Sequence, residues 1–275
     1  MHMNNKVKNI LWYVVLLSFS LIFVLPIIWI FISSLKTSNE IFSWPPTILP
    51  NEVTFSNYIT AFSKGNFVTY FKNSIFVAVA ATALTLLINS MAGYALAKFD
   101  FKGNKVIFFL FIATLMIPLQ VIMVPIFIVL RNLGLYNSLW GIIIPPAATP
   151  TGVFLVRQYM TTIPDEVLES ARIDGASEWR IFSMIILPLS KPVLTALTIF
   201  SFMWRWNDFL WPFVVLSTES KYTIQVAIAN FVGQFSVDWN SLLAMNIVAM
   251  IPVLLVFLFF QRYFVKGIAM SGMKM

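Results

Sequence analysis

The sequence predicts an all-α membrane protein that crosses the bilayer six times. Of its 275 residues 59% are hydrophobic and only 11% charged, and the mean hydropathy is +0.85. Soluble domains run near about 45–50% apolar and 25% charged, so a soluble enzyme is excluded. The apolar residues also gather into stretches that each supply the ~20 residues a crossing needs. The basic residues, finally, fall mainly to one side of those stretches, as the positive-inside rule requires.

The first span, 10–35, follows Lys6 and Lys8. It is longer than the roughly 7–15 residues of a signal-peptide core and no small-residue cleavage site follows, so it reads as a retained helix. The second, 73–97, carries Ala78, Thr82, Asn89, Gly93 and Ala97, partly four apart. Small residues at that spacing let helix backbones approach closely, either within this subunit or along a dimer or translocation contact. The third span is 106–130. The charge-free stretch 132–156 contains the fourth, 139–156, whose Pro145, Pro146 and Pro150 predict an irregular or kinked segment. Such backbone is tolerated at membrane depth only against protein or a watery cavity. The fifth, 192–216, is apolar except for Arg205 and Asp208, and the sixth is 239–261. Residues 222–237 number about 16, too few to span, and include Gln225, Asn230 and Gln234, which predicts an outer interfacial or re-entrant piece. No repeat or low-complexity linker divides the chain, so 1–275 reads as a single transmembrane domain.

Charge sets the expected orientation. With the N-terminus inside, the inner segments hold Lys6, Lys8, Lys98, Lys102, Lys105, Arg157, Arg172, Arg180, Lys191, Arg262, Lys266 and Lys274, which is 12 of the 18 basic residues. The outer ones hold Lys36, Lys64, Lys72, Arg131 and Lys221. Both termini are therefore expected in the cytoplasm, and the net charge of +7 needs no nucleic acid to explain it.

The chemistry available is sparse. There is no cysteine, and the single histidine is His2, in a Met1-His2-Met3 start that reads as an added residue before a native Met3. With no intramembrane histidine or cysteine and one intramembrane carboxylate, neither a metal site nor an embedded enzyme is expected. No P-loop motif occurs, so ATP would have to be bound elsewhere.

The one long inner connection is 157–191, and it has helical grammar. Pro164 followed by Asp165, Glu166 and Glu169 gives an acid-rich start, Arg172 lies toward the far end, and Gly175 can take the left-handed conformation that closes a helix. Ser177 can cap a second helix, with Ile181, Phe182, Ile185, Ile186 and Leu189 at helical spacing until Pro188 and Pro192 interrupt it. A helix, a tight turn and a second helix are expected at the inner face.

Within it, Glu169-Ser170-Ala171, three residues, Gly175, nine residues, Ile185, one residue and Leu187-Pro188 resemble the Glu-Ala-Ala loop of permease subunits in bacterial ATP-binding-cassette importers. Ser170 departs from the middle alanine but is small enough to keep the close approach. Trp206-Asn207-Asp208-Phe209-Leu210-Trp211-Pro212 resembles the fifth-helix segment of the carbohydrate-uptake branch. The run Asn89-Ser90-Met91-Ala92-Gly93-Tyr94-Ala95-Leu96-Ala97-Lys98-Phe99 resembles its second helix. With Tyr263 to Gly267, the likeness covers about residue 26 to the end and is nearest the shorter, six-span permease of the maltose type.

The resemblance implies the type I importer permease fold in a bacterial inner membrane. It also implies a second permease subunit, two ATP-binding subunits that hold ATP and Mg, and an external sugar-binding protein. Glu169, Ser170, Ala171, Asp174, Gly175 and Ala176 would then form the coupling contact with the ATP-binding subunits. The expected cargo is a di- or oligosaccharide, with glycerol-phosphate-type substrates as the alternative. A proton-coupled carrier using Asp208 is the rival outside the family, but it leaves the helix pair without a role.

Arg205 and Asp208 are costly inside a membrane unless paired or hydrated. Counting from Lys191 at about 1.5 Å per residue puts them roughly 20–26 Å along, in the outer half. With Trp204, Trp206 and Trp211 nearby, Arg205, Trp206, Asn207 and Asp208 could line a sugar path. The alternative is an interfacial aromatic belt with a structural salt bridge between Arg205 and Asp208.

Overall fold

A computed structural model of the chain describes residues 5–233 and 235–271; Met1-His2-Met3, Gln234, Lys274 and Met275 lie outside the described residues. The fold is all-α. In chain order the helices are α1 Asn5–Ser34, α2 Ser38–Ile41, α3 Ser56–Ser63, α4 Phe67–Lys98, α5 Asn104–Thr114, α6 Leu119–Asn132, α7 Leu139–Ile143 and α8 Pro150–Met160. They continue with α9 Asp165–Ile173, α10 Glu178–Ile181, α11 Leu187–Leu189, α12 Lys191–Asn207, α13 Leu210–Val215, α14 Ile224–Ala229 and α15 Trp239–Ser271. A π-helical turn, Phe182–Ile186, joins α10 to α11.

Among the described residues three helices, Leu11–Ser34, Phe67–Lys98 and Trp239–Gln261, are long and apolar enough to cross a membrane unbroken. Three bent pairs bring the number up to six where each pair is counted as one crossing: α5 with α6 at 104°, Leu139–Ala147 with α8 at 42°, and Glu178–Leu189 with α12 at 78°. The stretch 106–130, read from sequence as one crossing, holds the sharpest of these bends. Its turn closes on i→i−3 bonds from Leu115, Met116 and Ile117 just before Pro118, which starts α6 as its cap. The stretch 192–216 also breaks, between Asn207 and Leu210. Residues 222–237 form only the short α14 and an isolated bridge between Val232 and Val237.

The chain divides into two compact units, 1–66 with 227–251, and 67–226 with 252–275. In the first, α1 is apolar all round and the chain covers none of its most apolar window, the condition of a helix facing lipid or another subunit. Its last carbonyls lack helical donors. Asn57 Nδ2 donates to Ser34 O and Lys36 O, each at 2.8 Å, and Asn240 Nδ2 to Lys36 O at 3.0 Å.

In the second unit α4 packs along α8 and α12. Asn89 and Gly93 of the small-residue stripe make their close contacts here, inside the chain. A Cβ on Gly93 would stand 2.6 Å from Val156 Cγ1 and 3.0 Å from the Arg157 backbone nitrogen. One on Gly152 of α8 would stand 2.3 Å from Asn89 Nδ2. At that distance Asn89 Nδ2 donates to Thr149 Oγ1 at 2.8 Å, Thr149 N donates back to Asn89 Oδ1 at 3.1 Å, and Thr149 Oγ1 caps α8 by accepting from Gly152 N at 3.2 Å.

Candidate functional site

The loop between α8 and α12 folds as a helix, a tight turn and a helix. Asp165 and Glu166 in the first turn of α9 and Arg172 in its last both oppose the helix dipole. The helix ends in a Schellman motif: Gly175 has φ +79°, its N–H donates to Arg172 O at 3.0 Å, and Ala176 N–H reaches back to Ala171 O at 3.0 Å. Ser177 then caps α10 by accepting from Arg180 N at 3.4 Å. Arg172 Nε closes the corner onto Glu178 Oε1 at 2.7 Å. That hydrogen bond holds the Glu178 carboxyl below its ordinary range, against a smaller opposing effect of burial.

The inner faces of both helices pack as one cluster, Leu168, Ala171, Ile181, Phe182 and Ile186, on Tyr94 of α4, Val156 and Met160 of α8 and Leu197 of α12. The outer face is solvent-exposed: Glu166, Glu169, Ser170, Ile173, Asp174 and Gly175. Ile173 is 86% exposed, with Trp179 at 62% and Met184 at 66% on the second helix. Of the six residues expected to meet a partner, Glu169, Ser170, Asp174 and Gly175 are on this outer face. Ala171 is not: it is 8% exposed and faces its own chain. Ala176 is half-buried beside it, which is the apolar contact that a Schellman turn brings together.

The four residues expected on a sugar path are split by the structure. Trp206 is 1% exposed, set edge-on to Phe71 at 5.3 Å and stacked on Phe202 at 6.0 Å, so it is a core side chain. Arg205 and Asp208 make no ion pair with each other. Arg205 instead donates to the carbonyl of Pro146. That carbonyl lies four residues before Pro150, which has no N–H to offer it. Asp208 sits in the break between α12 and α13, where its Oδ1 accepts from Trp211 N at 3.3 Å. Asn207 is exposed, with its amide turned back to Met203 O at 2.9 Å.

Residues 89–270, about two thirds of the chain, match the family of binding-protein-dependent transport system inner membrane components. The chain belongs to this family. It is 36% identical to the arabinooligosaccharides transport system permease protein AraQ of Halalkalibacterium halodurans, over 99% of this chain and 100% of that one. It is 34% identical to the sn-glycerol-3-phosphate transport system permease protein UgpE of Yersinia pestis, over 98% of both. Among solved structures, a chain of a bacterial ABC transporter involved in the import of the acidic polysaccharide alginate superposes with a TM-score of 0.83 at 28% identity, covering 96% of this chain and 99% of that one.

For a transport-system membrane component, the outer face of the loop gains residues that the motif did not point to. Ile173 follows Glu166 and Glu169 by seven and four positions on one face of α9, and is apolar where solvent would favour a charge. The amphipathic period of α9 carried that signal: Leu168 and Ala171 define the buried side, and Ile173 falls outside it.

Proposed function

We propose that this chain is one of two permease subunits of an ATP-driven importer, forming half of the path for an oligosaccharide. The observation that carries the reading is the capped helix pair of the loop, with its core side on α4, α8 and α12 and an acidic and apolar stripe facing outward. Two ATP-binding subunits would hold ATP and Mg and receive Glu169, Ser170, Ile173, Asp174 and Gly175, while an external binding protein delivers the sugar. The charge bias of 12 to 5 supports a loop and termini on the cytoplasmic side. Closure of the ATP-binding subunits then displaces the loop, and its differential contact with their two states is what switches the bundle. The relatives support an oligosaccharide first and a glycerol phosphate second.

The test is uptake by the reconstituted complex in vesicles without an ion gradient. Labelled arabino-oligosaccharide is expected to enter only with ATP, and competition by glycerol 3-phosphate would assign the cargo to the second class. Uptake driven by a proton gradient in the absence of ATP would overturn the reading.

The same assay separates the residues at the α12–α13 break. Asn207→Leu is expected to lower uptake or shift sugar preference with the melting temperature unchanged, because the amide bonds only its own helix. Asp208→Ala removes a cap and is expected to cost about 1 kcal/mol of stability. A loss of several kcal/mol in Asp208→Ala would mean that Asp208 neutralises Arg205 after all.

A further inference from the structure

The loop is joined covalently to α8 and α12 and packs on both, and Tyr159 of α8 bonds the Leu189 carbonyl at its far end, yet the side-chain hydrogen bonds that reach the starts of α9 and α10 come from α4. Tyr94 Oη donates to Glu178 Oε2 at 2.9 Å, at the first residue of α10. Lys98 Nζ, four residues on and so on the same face, donates to Asp165 Oδ1 at 2.6 Å and to the carbonyl of Ile163, at the start of α9. The Lys98 side chain is 2% exposed. The Tyr94 ring adds contacts with Phe182 at 5.4 Å and Phe99 at 5.3 Å. Because Arg172 and Glu178 tie the end of α9 to the start of α10, three fastenings hold the helix pair as one body on the last turn of α4. Toward α12 the connection is of another kind. It passes through the π-helical turn Phe182–Ile186 and a 78° bend at Ser190, and π-turns are local irregularities in the hydrogen-bond ladder.

We propose that Tyr94 and Lys98 are positioning residues that make α4, rather than the covalently continuous α12, the helix that moves with the loop. The inference deepens the coupling reading above and rests on it. It also gives the 89–99 segment two successive jobs. Asn89 and Gly93 seat α4 against α8, and Tyr94 and Lys98 seat the loop against α4.

The chain has no cysteine, so cysteines introduced into this subunit can be spin-labelled uniquely before the complex is assembled. One pair, Met91→Cys with Arg180→Cys, reports α4 against α10; a second, Trp204→Cys with Arg180→Cys, reports α12 against α10. None of the side chains of Met91, Arg180 and Trp204 takes part in the fastenings, and melting temperature checks that each labelled variant folds. In the assembled complex the first distance is expected to stay the same between the nucleotide-free and ATP-bound states, while the second changes. Tyr94→Phe keeps the ring packing and removes only the hydroxyl. Combined with Lys98→Met, it is expected to broaden the first distance and lower sugar imported per ATP hydrolysed by about fivefold or more, from the two hydrogen bonds to charged groups that are lost.

A first distance that changes with nucleotide as much as the second, or a double variant with the native import-to-hydrolysis ratio, would overturn the proposal. Glu169→Arg on the outer face distinguishes this from failure of the coupling reading. If Glu169→Arg also leaves import and hydrolysis unchanged, the coupling role of the loop is lost; if it uncouples them while Tyr94→Phe with Lys98→Met does not, only the role of α4 is lost.

Discussion

Replacing Gly93 by leucine is expected to prevent the chain from folding into a form that survives purification. The glycine is where α4 and α8 meet at backbone distance. A Cβ alone would lie 2.6 Å from Val156 Cγ1 and 3.0 Å from the Arg157 nitrogen, and the second of these is main chain that no rotamer can move aside. Overpacking a site of this kind costs about 1–3 kcal/mol, and more where backbone must shift. Parting the helices would also pull Asn89 from Thr149 and uncap α8, leaving buried polar groups without partners. Gly93→Ala is therefore expected to lower the melting temperature by several degrees and Gly93→Leu to yield aggregate in size-exclusion chromatography. Met91→Leu, two residues away at an exposed position, is expected to behave as the native chain. Native melting behaviour in Gly93→Leu would contradict the close approach of α4 and α8.

Gly175→Val is expected to lose ATP-driven uptake while the membrane helices keep their stability. At φ +79° a Cβ would meet nothing within 4 Å, so the effect of a side chain there is purely conformational. An L-residue in the left-handed region costs about 1–2 kcal/mol, and a β-branched one is a true outlier. That penalty shifts the turn toward other conformations about tenfold, opens the Schellman bonds to Ala171 and Arg172, and turns α9 away from α10. Gly175→Asn, which tolerates positive φ, is expected to retain most uptake. If valine and asparagine variants import equally well, the turn has no part in coupling.

The turn was legible because its signals are local. Acid-rich start, glycine and serine cap follow one another within fifteen residues, and each acts on the backbone next to it. The outward face of α9 was legible only in part, since a motif names residues without saying which side each takes. Ala171 matches the motif, yet the period set by Leu168 turns it inward. The burial of Trp206 was hidden for a related reason: an indole is equally at home in an aromatic belt and in a core, and a contact that buries it comes from Phe71, 135 residues earlier. The partner of Arg205 was also non-local. Sequence proximity suggested Asp208, whereas the acceptor is a carbonyl freed by proline in a different stretch. The bend in 106–130 did have a signal, Pro118, which the absence of charge in that stretch concealed.

The bond between Arg205 and Pro146 has a bearing on biogenesis. Synthesis runs from the N-terminus, so residues 139–156 reach the insertion machinery before 192–216 have been made. At that moment the Pro146 carbonyl lacks its helical donor, and the arginine that will satisfy it is still within the ribosome. Arg205, arriving later in the last turn of α12, would alone carry a cost that reaches about 2.5–3.5 kcal/mol only at the middle of an inserting helix. Each segment is thus a poor membrane helix singly and an acceptable one in company.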